Sequence, residues 1–368
     1  MMNKSIDEQV TSGAAWAQFC DDLKAVGDLL LQPENPQDAF TQAEGMRYLS
    51  RLTRMGLENF LEYRDPLFPV FRRSCHETIK LGGDNPDNHY ANAQIDGSFD
   101  YKITGSRGSV HYLGIGTQSG NYGKDGTLQT IGFIDADKDI AINDDGSFEI
   151  IVSQTEQPGN WLKMTDGTGM VLVRQTFHDR ETETPAVLTI ERLNAEGEAP
   201  APLSSQRIAH GLMAASRYVA GSVKLFLEWS HEFRTYDLNT FKMLDHKRAQ
   251  RVGGDPNIRY FYGWYDFADD EALVITTPLP ECDYWNIQLC NFWMESFDYR
   301  YHRVHLNHHL AQNDGKTAEV VVAHRQLDHP NAIETAGHKE GVLMWRWIGA
   351  SDHPVPQVRK VKISEIAG

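Results

Sequence analysis

The chain has 368 residues, a formal net charge of −16, 40% hydrophobic residues and 23% charged residues. This length exceeds the usual reach of a single hydrophobic core, so we expect two domains, and the composition is that of a globular protein. The negative charge excludes a broad phosphate-binding surface. We therefore expect neither a nucleic acid nor an anionic membrane surface as a partner.

The start of the chain and its cysteines indicate a compartment. The first ten residues are polar and acidic, unlike a secretory signal, and no segment has the roughly 20 apolar residues of a membrane span. The four cysteines lack CxxC spacing and are too few for a disulfide scaffold. Together these features favour a cytoplasmic protein.

Two amphipathic segments open the chain. Apolar residues recur every three or four positions over Ala14–Leu31 and again over Asp38–Tyr63, and two prolines follow each segment. This spacing predicts two helices. Residues 1–80 are therefore assigned to a helical N-terminal region.

A β-rich region follows, over residues 81–200. It opens with the turn-forming run 82–88 and then alternates short β-rich runs with Gly, Asn and Asp. The predicted strands are Asp100–Gly105, Val110–Ile115, Phe148–Ser153 and Met170–Phe177. This texture predicts a β-sandwich of jelly-roll type. The sequence contains no strand-linked GxGxxG or Walker loop, so we do not expect a nucleotide-binding unit.

The helical period returns over Ser204–Thr235 and predicts a long helix between two β regions. We assign residues 201–252 to this helix and a linker, and residues 253–368 to a second β-sandwich. Its predicted strands are Ala272–Thr276, Tyr284–Trp293 and Ala318–His324. The predicted fold class is thus mainly β with α: two tandem β-sandwich, jelly-roll-like modules, a helical N-terminus and a long helix between the modules.

The two β regions resemble each other. Each has an Asp-Gly turn, a strand, a proline, a Thr and two glycines in the same order, and each then reaches an arginine five residues after a glycine, at Gly169/Arg174 and Gly341/Arg346. This order predicts an internal repeat, although Asp-Gly turns recur by chance in β proteins. A buried guanidinium needs a carboxylate or a ligand anion, so Arg174 and Arg346 are candidates either for structural salt bridges or for anchoring an acidic or phenolic small molecule.

The last third of the chain carries a family pattern. It consists of the stretches 254–258, 270–275, 284–289, 296–299 and 335–338. These stretches resemble the bacterial family called domain of unknown function 1214, which is often found with domain of unknown function 1254. The resemblance implies β-sandwich modules of jelly-roll type and implies no established reaction.

The strand Tyr284–Trp293 alternates two kinds of side chain. Its odd positions, including Trp285 and Trp293, are mostly apolar and predict a core face, whereas Asn286 and Gln288 lie on the other face. If that second face is also enclosed, the two amides become polar groups of a pocket, and if it meets solvent they are ordinary surface amides. We predict that Trp285 or Trp293 forms a pocket wall.

The run 300–309 is rich in Arg and His. On a helix, three of its histidines would share a face and could hold a metal, but no acidic ligand stands at fixed spacing and we predict no metal and no cofactor. We assign His302, His305 and Arg303 as candidate catalytic residues, because imidazole serves as an acid or base and guanidinium steadies an anion. We assign Arg300 to ligand binding and expect Arg300, His302 and Arg303 beside Asn286 at one pocket.

These features favour a protein that binds a small organic molecule, either in a sandwich core or between the modules. One alternative is a metal-independent hydrolase or lyase that uses a histidine as acid or base and an arginine as anion anchor, so the sequence leaves open whether the protein is an enzyme. Another is a structural oligomer, since sandwich modules also serve in assembly. We expect a homo-oligomer in either case.

Overall fold

The computed structural model describes residues 5–195 and 197–366. Three helices open the chain: α1 (Ile6–Thr11), α2 (Ala14–Leu30) and α3 (Ala39–Leu57), and α3 continues as the π-helical turn Glu58–Glu62. The Asp38 carboxylate caps α3 by accepting a hydrogen bond from the backbone N–H of Thr41 at 2.9 Å. Both helices predicted in this region are confirmed, and the second differs only in its π-helical last turn.

Module 1 contains nine strands and two short helices. They are β1 (Arg72–Arg73), β2 (Asn88–Gln94), β3 (Tyr101–Ser106), β4 (Tyr112–Ser119), α4 (Tyr122–Asp125), β5 (Gln129–Asp135), α5 (Ala136–Asp139), β6 (Ser147–Ser153), β7 (Trp161–Lys163), β8 (Thr168–Thr176) and β9 (Val187–Arg192). Its two sheets have the strand orders β1-β2-β8-β4-β5 and β7-β6-β3-β9. The sheets enclose an apolar core that includes Ile103, Ile115 and Val173.

Helix α6 (Ser205–Tyr236) separates the modules in sequence. The Ser204 hydroxyl caps it by accepting a hydrogen bond from the N–H of Arg207 at 3.1 Å. Its buried side packs against α2, α3 and α4 and against strands of the second module. None of the helices formed by the described residues is long and apolar enough to cross a membrane.

Module 2 follows with the same arrangement of sheets. Its elements are β10 (Lys242–Met243), α7 (His246–Arg251), β11 (Ile258–Asp266), β12 (Glu271–Pro278), β13 (Tyr284–Cys290), β14 (His305–Asn307), β15 (Thr317–Ala323), β16 (Ala332–Glu334), β17 (Glu340–Ile348) and β18 (Gln357–Lys362). The strand orders are β10-β11-β17-β13-β14 and β16-β15-β12-β18. Each order matches that of module 1 strand by strand.

The predicted combination of two β-sandwich modules, a helical N-terminus and a long helix between the sheet groups is confirmed. One difference concerns where the sheets begin. The modules were predicted to start at residues 81 and 253, but the short edge strands β1 and β10 lie before these positions. Each of them belongs to its module's sheet, since it pairs antiparallel with the first long strand of that sheet. Two-residue edge strands carry too little alternation to be recognised in sequence.

Both faces of the five-stranded sheets are covered. In module 2, the odd positions of β13 and β17 pack inside the sandwich core, as Trp285 and Trp345 do. The even positions face away from that core. Met344 packs under α6, whereas Tyr284 meets Tyr112 of module 1 at the seam between the modules. The side chains on the outer faces of these sheets are therefore buried by other parts of the same chain.

Candidate functional site

A cavity of about 250 Å³ lies where the two modules and α6 meet. Even-numbered residues of β2 and β8 line it from module 1, and Ile258, Tyr260, Tyr262 and Arg346 line it from module 2. These side chains face outward from the sandwich cores because neighbouring residues of a strand point to opposite faces. The cavity is thus formed between the modules and lies outside both sandwich cores.

Aromatic rings cover the α6 side of the cavity. Phe226 meets the ring of Tyr122 edge-on, with 5.7 Å between ring centroids, and Trp229 meets Tyr262 in the same way at 5.8 Å. Tyr218 also lines this side and lies 6.1 Å from Tyr122. We call Tyr122, Tyr218, Phe226, Trp229 and Tyr262 the aromatic wall.

Two arginines also line the cavity. Arg174 lies on β8 and Arg346 lies on β17, the middle strand of each five-stranded sheet, and they are only 8% and 3% exposed. Each Nη2 donates a hydrogen bond to a backbone carbonyl of the other module, from Arg174 to Gly253 and from Arg346 to Gly83. The arginines therefore join the modules reciprocally.

Those carbonyls belong to two turns of matching design, the first turn (residues 83–87, module 1) and the second turn (residues 253–257, module 2). In module 1 the N–H of Asn85 donates to the hydroxyl oxygen of Tyr90 at 3.0 Å, and in module 2 the N–H of Asp255 donates to that of Tyr260 at 3.2 Å. The side chains of Asn85 and Asp255 also each accept a hydrogen bond from the backbone N–H two residues later in the chain. Positive φ values of 72° at Gly83 and 88° at Gly253 require glycine at these bends.

Each turn is also fixed by the sheet of the other module. Asn85 accepts a hydrogen bond from the Nδ2 of Asn286 at 2.9 Å, and its own Nδ2 donates to the Tyr284 hydroxyl at 3.3 Å. The Asp255 carboxylate accepts from the Tyr112 hydroxyl, at 3.0 Å to the nearer oxygen. The position of each cavity arginine therefore depends on both modules.

The two arginines differ in how fully they are bonded. Arg346 donates to the Oδ1 of Asn286, to the Oε1 of Gln288 and to the Gly83 carbonyl. Within the described residues, Arg174 donates its single side-chain hydrogen bond to Gly253, and neither arginine forms a salt bridge. A guanidinium has five N–H donors, so most of those on Arg174 have no protein acceptor.

Glycines explain this difference. Asn286 pairs with Arg346 in the β13–β17 register and Gln288 pairs with Met344. In the β4–β8 register the corresponding partners of Arg174 and Leu172 are Gly114 and Gly116. Module 1 therefore lacks the two amide side chains that bond the arginine of module 2.

Two tyrosine hydroxyls flank the arginines. Tyr90 pairs with Arg174 in the β2–β8 register, and Tyr260 pairs with Arg346 in the β11–β17 register. Burial raises the pKa of both phenols above the ordinary value, so both are neutral at physiological pH. Their oxygens accept the turn N–H groups, which leaves each O–H hydrogen available to a ligand.

The tryptophans predicted as pocket walls lie elsewhere. Trp285 stacks on Trp345 at 4.7 Å inside the sandwich core of module 2, and Trp293 donates its ring N–H to the Thr41 carbonyl of α3 at 2.8 Å. Asn286 and Gln288 are fully buried, so the interpretation as surface amides is wrong. They bond Arg346 and the first turn and do not line the cavity themselves.

The Arg- and His-rich run does not gather at the cavity. Arg300 is exposed and paired with Asp298, and His302 is exposed and bonded to Glu334 at 2.9 Å. Arg303 is also exposed. The expected grouping of these residues beside Asn286 is therefore absent from the described residues, because residues 300–303 are exposed on module 2 while Asn286 is buried at the seam.

His305 is bonded to a buried carboxylate. Its Nε2 lies 3.1 Å from an oxygen of Asp87, and Tyr284 and Asn307 donate to the other oxygen at 2.6 and 3.1 Å. Burial raises the pKa of Asp87, but the opposing effect of His305 and these hydrogen bonds leaves that pKa below its ordinary value. This network fixes the first turn against β13 and β14.

Four histidines meet at the seam, a group that sequence reasoning missed. The rings of His111 and His178 stack at 3.5 Å, and His308 and His309 lie 4.6 and 5.9 Å from His178. Nothing in the sequence pairs residues so far apart. Across residues 5–195 and 197–366, no group of three or more His, Cys, Asp or Glu is placed to hold a metal ion.

Tyr90 and Tyr260 were also missed as site residues. Aligning Gly83-Asp84-Asn85 with Gly253-Gly254-Asp255 shows that a tyrosine follows the first glycine of each stretch by seven residues, at Tyr90 and Tyr260. This alignment was the available signal, since both tyrosines close equivalent turns.

The fold and the cavity define a class of protein: two β-sandwich modules that meet around a shared cavity beside a long helix. A family model described as protein of unknown function (DUF1254) matches residues 238–362. The crystal structure of a Burkholderia cenocepacia protein described as uncharacterized is 46% identical to the chain, with 97% of this chain and 99% of that one covered and a TM-score of 0.94. The chain belongs to the family of this Burkholderia cenocepacia protein.

A structure from Vibrio parahaemolyticus is more distant, at 11% identity and a TM-score of 0.49, and covers 87% of this chain and 98% of its own. No curated protein matches the chain. The matching family model is thus that of domain of unknown function 1254, and the resemblance to the 1214 family stays a prediction.

Proposed function

We propose that this protein binds a small organic anion in the cavity between its two modules. The observation that carries the proposal is Arg174, a buried guanidinium that faces the cavity with one hydrogen bond and no salt bridge among the described residues. The buried carboxylate of Asp255 interacts electrostatically with Arg174 but accepts no hydrogen bond from it among the described residues, so a bound carboxylate would supply the missing acceptors.

The rest of the cavity fits this role. Apolar and aromatic side chains form most of its lining, and a few polar side chains, Arg174 among them, also reach it. Ligand pockets combine apolar walls with a few directed polar groups in this way. The neutral hydroxyls of Tyr90 and Tyr260 can donate to an anion that Arg174 holds.

The alternative of a hydrolase or lyase is less well supported. Of the residues assigned to catalysis, His302 and Arg303 are exposed, and His305 is bonded to Asp87 away from the cavity. A structural homo-oligomer stays a prediction, as does the jelly-roll type of the modules.

We further propose that the two modules are copies of one unit. The matching strand orders support this, as does the equivalent register of Tyr90 beside Arg174 and Tyr260 beside Arg346. A duplicated origin would also account for the reciprocal turns, because two identical units related by a two-fold axis exchange identical contacts.

Native mass spectrometry of freshly purified protein tests the binding proposal. We expect an anionic small-molecule adduct on the wild type, its loss in Arg174→Met and its retention in the control Arg300→Met, whose arginine is exposed. Thermal unfolding of each variant shows whether it is folded.

The same variants are titrated with benzoate, hexanoate and citrate. Binding of a carboxylate to the wild type and to Arg300→Met but not to folded Arg174→Met supports the proposal. It is wrong if Arg174→Met binds as the wild type does, or if the wild type carries no adduct and binds none of the three anions.

A further inference from the structure

The charges around the cavity limit the charge of its ligand. Among the described residues that line it, three carry a charge: Arg174, Arg346 and Asp84. The Asp84 oxygens accept hydrogen bonds from the N–H and the hydroxyl of Ser296, at 3.0 and 2.7 Å. The lining therefore carries one net positive charge, which one anionic group neutralises.

Charges behind the lining do not alter this count. Lys80 is buried and donates to the carbonyl and hydroxyl oxygens of Ser296, on which Asp84 also converges. On the other side, Asp255 is fully buried near Arg174 and accepts hydrogen bonds from Tyr112 and Asn257. These two charges are opposite in sign and offset each other, and the nearby Asp87 and Arg72 are paired with His305 and Glu58.

The two arginines have different roles because their donors differ. Arg346 already bonds Asn286, Gln288 and Gly83, so it contributes its charge at a distance and holds the turn in place. Arg174 has Gly114 and Gly116 in place of those amides and keeps its remaining donors for a ligand. A planar guanidinium with free adjacent N–H groups matches a carboxylate in a bidentate manner.

The aromatic wall lines the same cavity as Arg174. Several of its rings contact one another edge-on. The volume of about 250 Å³ corresponds to roughly eight water molecules. A single ring or two fused rings would fill such a space. Edge-on contacts between aromatic rings also add binding free energy beyond that of the buried area.

We infer that the ligand is an aromatic monocarboxylate, with its carboxylate bound by Arg174 and the hydroxyls of Tyr90 and Tyr260 and with its ring against the aromatic wall. This inference rests on the proposed function and specifies its ligand. Arg346 is a positioning residue for the same site.

The first test compares four probes by isothermal titration calorimetry on the full-length wild type. Benzoate is expected to bind best. Benzamide lacks the charge, terephthalate would place a second carboxylate on the apolar wall, and cyclohexanecarboxylate has a saturated ring in place of the aromatic one. We expect benzamide and terephthalate to bind at least about tenfold more weakly and cyclohexanecarboxylate about fivefold more weakly.

The second test separates the arginines. Gly116→Gln introduces an amide at the position on β4 that Gln288 holds on β13, and we expect it to weaken benzoate binding about tenfold. Because a Cβ there meets the Gly132 carbonyl oxygen at 3.3 Å, we also expect a lower melting temperature. Arg346→Lys keeps the positive charge but loses the planar guanidinium that bonds Asn286, Gln288 and Gly83. We therefore expect a lower melting temperature and a benzoate affinity within about threefold of the wild type. Phe226→Leu should weaken benzoate and leave cyclohexanecarboxylate unchanged.

The outcomes distinguish the two proposals. If none of the carboxylates binds and the wild type carries no adduct, the proposed function fails and this inference fails with it. If terephthalate or cyclohexanecarboxylate binds as tightly as benzoate, and does so only while Arg174 is present, anion binding stands and the aromatic monocarboxylate is wrong. If Arg346→Lys abolishes binding in a folded protein while Gly116→Gln does not weaken it, the assignment of Arg174 as the anchor is wrong.

Discussion

Acid should weaken the seam between the modules through His178. Its ring lies against His111 and near His308 and His309, and its Nε2 is 3.3 Å from the Asp283 carbonyl. Burial, and then the neighbouring imidazoles, lower its pKa from 6.5 to about 3. The unfolded chain therefore binds a proton between these two values where the folded chain does not.

The sign and size of the effect follow from this difference. A base with a depressed folded pKa contributes stability above its unfolded pKa, and that stability is lost as the pH falls toward the folded value. Going from pH 7.5 to pH 4.5 covers about two units below the unfolded pKa of 6.5, or about 2.7 kcal/mol at 1.36 kcal/mol per unit. Because the side chain is partly exposed, we discount this to about 1 kcal/mol.

The perturbation is His178→Gln, since a glutamine amide can still donate to the Asp283 carbonyl but does not titrate. Urea unfolding followed by tryptophan fluorescence at the two pH values gives the free energy of unfolding of each protein. We expect the variant to lose about 1 kcal/mol less than the wild type on acidification, whereas the control His210→Gln, on α6, should behave as the wild type does. An identical pH dependence of His178→Gln and the wild type would refute the reasoning.

Three further predictions concern stability. Arg346→Met should lower the free energy of unfolding by about 3–5 kcal/mol in urea unfolding, because it leaves the Gly83 carbonyl and two buried amides without their donor. Gly263→Ala should cost about 2 kcal/mol or more in the same assay, since a Cβ there would overlap the Thr240 carbonyl oxygen. Gly169→Ala is the control, since a Cβ there meets no atom within 4 Å and the backbone is not in the left-handed region. A strong chelator should leave the melting temperature unchanged, and a large drop would make His302 and His305 the first residues to examine.

The helices and the long strands were predictable because their signals are local. Both N-terminal helices and α6 repeat apolar residues at helical spacing, and strands such as Ser147–Ser153 were predicted within a residue of their observed bounds. Arg174 and Arg346 were selected because each ends an apolar run at the same distance from a glycine. Their place on the middle strand of each sheet follows from that position.

The remaining site residues were misjudged because burial is not local. Sequence alternation at Trp285 and Asn286 distinguishes two faces of β13 but does not reveal what covers each face. Module 1 and its first turn cover the Asn286 face, and the sandwich core covers Trp285. The run from Arg300 to Arg303 has the residue types of a site, but it is exposed on module 2.

The sequence by itself therefore determined the two N-terminal helices, the long helix α6 and several long strands on either side of it, because periodicity and turn chemistry depend on neighbouring residues. Only the tertiary structure decided that the pocket lies between the modules, since its lining comes from segments more than a hundred residues apart. The same holds for the difference between the arginines. It depends on Gly114 and Gly116 beside Arg174 and on Asn286 and Gln288 beside Arg346, and strand pairing alone brings these residues together.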